Sequence, residues 1–149
     1  MIHRRRVLGL LAAAPLLARP AFAASPEVFS DAGLAIRGAD PVAFFTQEAP
    51  VIGDPAHSLM WKGAQWRFAS AQNMATFESD PMAYAPQYGG YCAYAMSKGA
   101  VASSVPEAWT VHDGKLYLNY SVAVRGIWSQ DIPENIEKAD ANWPAVLSR

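Results

Sequence analysis

The chain has 149 residues, with 12 Lys and Arg against 13 Asp and Glu, a formal charge of −1, and one cysteine. That length supports one domain with one main core rather than several. A single cysteine excludes an internal disulfide, and the lack of any basic cluster beyond the first 23 residues excludes the electrostatic footprint that nucleic acid requires.

The first residues read as an export signal over residues 1–23. Arg4-Arg5-Arg6 precede the apolar run Val7 to Leu17, followed by Arg19 and the small-x-small triplet Ala21-Phe22-Ala23. The run is too short for a permanent membrane span, which takes about 20 apolar residues. Arg4-Arg5, with Val7 and Leu8 after Arg6, matches the twin-arginine pattern, a route that exports folded proteins. Cleavage near Ala23 starts the mature chain at Ala24, with 8 basic against 13 acidic residues and a charge of −5. The expected product is a periplasmic domain over 24–149 with no membrane span.

Glu27 to Arg37 reads as a first edge strand leading to Gly38. Asp40-Pro41 then opens a short helix carrying Val42, Ala43, Phe44 and Phe45, since Asp accepts from amides at a helix start and Pro suits the first turn. Gln47 to Pro55 reads as a surface loop. From Ser58 to Phe68, bulky residues alternate on either side of Lys62-Gly63, the pattern of a β-hairpin. Ser70 caps a helix with Ala71, Met74 and Phe77 on its buried stripe, ended by Asp80-Pro81. Trp109 to Val111, Asp113-Gly114 and Lys115 to Tyr120 form the strongest hairpin signal, expected at the centre of the sheet. Ser121 caps a helix presenting Val124, Ile127 and Trp128, and Glu134 to Asp140 forms another, with Ile136 and Ala139 inward. Trp143-Pro144 ends the fold, with Val146 and Leu147 tucked in. The fold class is α+β: a small antiparallel sheet of hairpins packed against short helices in a single domain.

Asp80 to Gly99 carries the densest chemistry. Four tyrosines, Gly89-Gly90 and Cys92 lie within it. A glycine pair admits a close approach of backbone or ligand and permits positive φ, so Tyr88, Gly89, Gly90 and Tyr91 are the candidate cofactor-binding residues. A helix from Tyr91 to Lys98, closed by Gly99, puts Cys92 and Met96 on one face.

Asp40-Pro41-Val42, Trp66-Arg67-Phe68-Ala69-Ser70, Asp80-Pro81, Pro86-Gln87-Tyr88-Gly89-Gly90-Tyr91-Cys92-Ala93 and Gly114-Lys115-Leu116-Tyr117-Leu118-Asn119-Tyr120 together resemble the exported bacterial proteins of the YHS-domain family. The resemblance covers nearly all of 24–149. Short members of the family carry one cysteine after Asp-Pro-Val and one after the aromatic pair of the second strand. Here Ala43 and Ala69 stand at those places, and the Tyr-His-Ser triplet is absent. The metal role of the short modules therefore does not transfer directly.

Cys92 has three readings. It is the anchor of a soft metal site for copper or zinc, helped by Met96 or His57; it is a buried structural residue of a non-catalytic interaction module with a periplasmic protein partner; or it is a nucleophile. The third ranks last because no histidine and acid stand in a recognisable relation to it, and no catalytic residue is assigned. His112 sits at a hairpin tip and Asp40, Asp80 and Asp113 are explained by caps and turns.

Overall fold

The computed structural model describes residues 13–15 and 24–149. The expected export signal over residues 1–23, twin arginines included, falls almost wholly outside the described residues.

Two sheets organise the chain. In the first, β1 (Ser30–Asp31), β2 (Leu34–Ala35), β3 (Asp54–Trp61) and β4 (Ala64–Phe68) lie in the order β1-β2-β4-β3. The second is the hairpin of β5 (Val105–His112) and β6 (Lys115–Asn119) alone. Neighbours pair antiparallel except β2 and β4, which meet parallel at Leu34 and Gln65. Around them stand α1 (Ala43–Thr46), α2 (Ala71–Ser79), α3 (Pro81–Tyr84), α4 (Ala93–Ser97), α5 (Val122–Trp128) and α6 (Ile132–Asn142). The α+β class expected from the sequence is the class observed. No helix among the described residues is long and apolar enough to cross a membrane.

Each hairpin turns on a residue followed by glycine, both at positive φ: Ala32-Gly33, Lys62-Gly63 and Asp113-Gly114. Positive φ at both central residues is the type I′ turn, whose twist matches that of the strands it joins. The first of these breaks the single edge strand expected over Glu27 to Arg37 into the miniature hairpin β1-β2.

The hairpin β5-β6 is not the centre of the larger sheet. Its position is central in another sense, because β6 lies between two apolar clusters. Leu116 and Leu118 join Phe44, Trp66, Phe68 and Phe77 in one. Tyr117, alternating to the opposite face, joins Tyr88, Tyr91, Met96, Trp128 and Ala139 in the other. A strand buried on both faces needs no sheet neighbour to bury its side chains, and the helices divide between the two clusters rather than covering one side. The turn at Gln87–Gly90 and α4 pack along β6.

Side-chain caps set the helix starts. The hydroxyls of Ser70 and Ser121 accept from the amides of Asn73 and Val124, each at 3.1 Å, as the sequence predicts. Asp131 accepts from Glu134 and starts α6 two residues before the expected Glu134. Two inward assignments are reversed. Ala71 is exposed, and Ile127 is 47% exposed while Trp128 is fully buried, because α5 turns its Val124–Trp128 edge to the core.

Asp40 ties these parts together. It is fully buried, and its Oδ1 accepts from the amides of Val42 (2.8 Å) and Ala43 (3.4 Å) at the first turn of α1. Its Oδ2 accepts from Ala69 N (2.8 Å) and Asn73 Nδ2 (2.7 Å), where β4 ends and α2 begins. One carboxylate thus joins α1, β4 and α2.

Candidate functional site

The segment between α3 and α4 is left-handed. Tyr88, Gly89 and Gly90 have φ of 58°, 61° and 85° in succession. Positive φ is free to glycine but costs a tyrosine roughly 1–2 kcal/mol, and such strain persists only where surrounding contacts fix it. Those contacts are explicit. The Tyr88 hydroxyl donates to Asp140 Oδ1 at 2.8 Å, and its ring packs against Tyr117 and Trp143. The Gly89 carbonyl accepts from Phe29 N at 2.9 Å, and a Cβ at Gly89 would lie 1.8 Å from the carbonyl oxygen of Glu27. Here Gly89 serves a close backbone approach by the segment around Glu27.

Beside this turn lies a cavity of about 170 Å³. Trp61, Trp66 and Trp143 supply aromatic wall, with Val28, Ala85 and Pro86 between them, and Tyr88 and Gly89 form one side. Its charged groups are Glu27 and Lys62, whose Nζ and Oε1 are 2.7 Å apart. Lys62 Nζ also stands 4.9 Å from the centroid of the Trp61 ring.

The four residues expected to hold a cofactor divide into two pairs. Tyr88 and Gly89 line the cavity. Gly90 and Tyr91 do not: the Gly90 carbonyl accepts from the Ser104 hydroxyl, and the Tyr91 hydroxyl donates to Pro26 O at 2.8 Å. Glu27, Lys62, Trp61, Trp66 and Trp143 line the cavity as well and were not among the expected residues. No local pattern in the sequence joins them, since the fold brings Glu27 and Gly89 together across more than 60 positions.

The three residues expected to hold a metal have different surroundings. Cys92 is 1% exposed, and it precedes α4 rather than lying within it, because the left-handed turn delays the helix to Ala93. Its Sγ accepts from Ala95 N at 3.4 Å and stands 3.6 Å from Asn119 Oδ1, which also accepts from Tyr94 N. The thiol thus fills the capping place usually taken by serine. Met96 is fully buried within the aromatic cluster. His57 lies in the bulged stretch of β3, the edge strand of the four-stranded sheet. Among the described residues no group of three or more His, Cys, Asp and Glu is placed to hold a metal ion.

Burial, then the hydrogen bond to Asp140, raises the Tyr88 hydroxyl far above the ordinary tyrosine range. Burial also raises Tyr91 and Tyr117, with Asp140 and Asp113 adding at Tyr117. These groups stay protonated in the fold while the unfolded chain ionises near pH 10. Their stabilisation is therefore complete below about pH 10 and is lost as pH rises through the raised folded values, at about 1.4 kcal/mol per pH unit for each tyrosine. Melting followed from pH 9 to 11.5 is expected to show this fall, shallower in Tyr88→Phe. A melting temperature flat to pH 11 would contradict the burial of these hydroxyls.

Comparison of the chain with protein families, with curated proteins and with solved structures finds no match.

Proposed function

We propose that the chain is an exported, non-catalytic binding domain of the YHS type, in which the cavity at the Tyr88–Gly89 turn takes a small organic molecule and Cys92 serves the fold. The observation carrying this reading is the coincidence of a strained left-handed turn with an aromatic-walled cavity. Strain of that kind concentrates at ligand clamps, and a concave apolar site with few polar groups is the usual form of a small-molecule site. A volume near 170 Å³ suits a single ring, close to the engineered cavity of about 150 Å³ known to take benzene. The burial of Cys92 and its capping contact support a structural sulfur over a copper or zinc anchor assisted by Met96 and His57.

Benzyl alcohol titrated into the labelled protein tests the reading. Saturable shifts are expected for the indole N–H signals of Trp61, Trp66 and Trp143, with Trp109 and Trp128 unmoved. Ala85→Leu, which fills the cavity, is expected to abolish them. Uniform shifts, or none, would sink the reading. In the same protein Cys92 should resist thiol reagents until denaturant is added. Uptake of one equivalent of Cu(I) or Zn(II), lost in Cys92→Ser, would restore the metal anchor instead.

A further inference from the structure

We infer that the ligand class of this cavity is an organic ammonium ion carrying a ring-sized apolar body, an inference that rests on the binding reading above. The two charges at the cavity differ in how their backbones are held. Glu27 belongs to a segment clamped by the Phe29 N to Gly89 O hydrogen bond and by the contact of its own carbonyl with Gly89. Tyr91 holds Pro26 just before it. Lys62 stands at the tip of the β3-β4 hairpin on a flexible four-carbon stem, its side chain one-third exposed, while the Glu27 side chain above its held backbone is 56% exposed.

The acid is therefore held at its backbone, while the base sits on the longer and more flexible stem. The Lys62 ammonium already occupies a cation position, 2.7 Å from the Glu27 carboxylate and 4.9 Å from the centre of the Trp61 ring. Both interactions are weak where solvent reaches them. A ligand ammonium can take that position while Lys62 swings into water, keeping both the carboxylate and the negative π face as partners. An anion would pair with the Lys62 ammonium only by displacing the Glu27 carboxylate, and it would gain nothing from the π face.

Three probes of one shape separate the possibilities: benzylammonium, benzyl alcohol and benzoate, titrated at pH 7 and fixed ionic strength, with the same indole signals as readout. Benzylammonium is expected to bind at least tenfold tighter than benzyl alcohol, and benzoate weaker than both. Glu27→Gln is expected to remove the advantage of the cation. Lys62→Met is expected to tighten benzylammonium severalfold, because the resident ammonium no longer competes. Each variant is first checked for an unchanged circular-dichroism spectrum, and Lys62→Met leaves the clamped segment untouched. Equal binding of cation and alcohol, tighter binding of benzoate, or weaker binding of benzylammonium in Lys62→Met would overturn the inference and leave the binding reading standing. Silence from all three probes would remove both.

Discussion

Asp40→Ala is expected to be among the most damaging single substitutions in the chain, costing about 4 kcal/mol or more. Four donors converge on that carboxylate: the amides of Val42, Ala43 and Ala69 and the Asn73 side chain. Alanine leaves all four without their acceptor at a place that is fully buried. Each buried donor left unpaired costs roughly 1–3 kcal/mol, offset in part where water can enter. Domains of this size are stable by about 5–15 kcal/mol, so a large share of the margin goes. Asp40→Asn discriminates further. An amide has one acceptor oxygen, so it can serve either the α1 amides or the Ala69 and Asn73 donors, and its own N–H groups then face donors on the other side. It is expected to fall between wild type and Asp40→Ala in urea denaturation. A midpoint for Asp40→Ala within error of wild type would show that the carboxylate is dispensable.

Asp40 also marks what the sequence discloses and what it withholds. Its role at the start of α1 is legible, because Asp-Pro before an apolar run is a local signal. Its second pair of bonds is not legible, because Ala69 lies 29 positions away and only the fold brings it near. The same division runs through the molecule. Lys62-Gly63 and Asp113-Gly114 announce their hairpins, and Ser70 and Ser121 announce their helices. Each of these depends on residues within a few positions. Ala32-Gly33 makes the same turn but is flanked by strands of two residues, too short for an alternating pattern to stand out.

The place of β5-β6 is a longer-range matter. Its alternation correctly separates Leu116 and Leu118 from Tyr117, yet alternation of two apolar sets on one strand does not say whether a sheet neighbour or a second core covers the other face. The candidate site shows the same limit. Gly89 is conspicuous in the sequence, whereas Glu27, which makes it necessary, is unremarkable there. The reading of Cys92 beside Met96 as a soft-metal pair rests on helical spacing. In the fold Cys92 caps α4 and Met96 packs within the aromatic cluster.

Gly89→Ala is expected to cost about 3 kcal/mol or more, and distinctly more than Gly90→Ala. The two glycines are adjacent and both left-handed, so backbone preference alone predicts similar penalties for an added methyl group, about 1–2 kcal/mol each. Their surroundings differ. A Cβ at Gly90 would come within 3.2 Å of Pro86 Cγ, a contact that a small shift relieves. At Gly89 it would lie 1.8 Å from Glu27 O and 2.9 Å from Glu27 C, both backbone atoms. Relief there requires the Glu27 segment to lift, which breaks the hydrogen bond from Phe29 N to Gly89 O and strains that from Tyr91 to Pro26. The substitution is therefore expected to loosen the cavity as well as the fold. Hydrogen exchange should report faster exchange at the Phe29 amide in Gly89→Ala, with the amides of β4 changed only in line with global stability. Equal melting temperatures for the two alanine variants would mean that the close approach of Glu27 to the turn contributes nothing, and the clamp on which the cation preference depends would lose its basis.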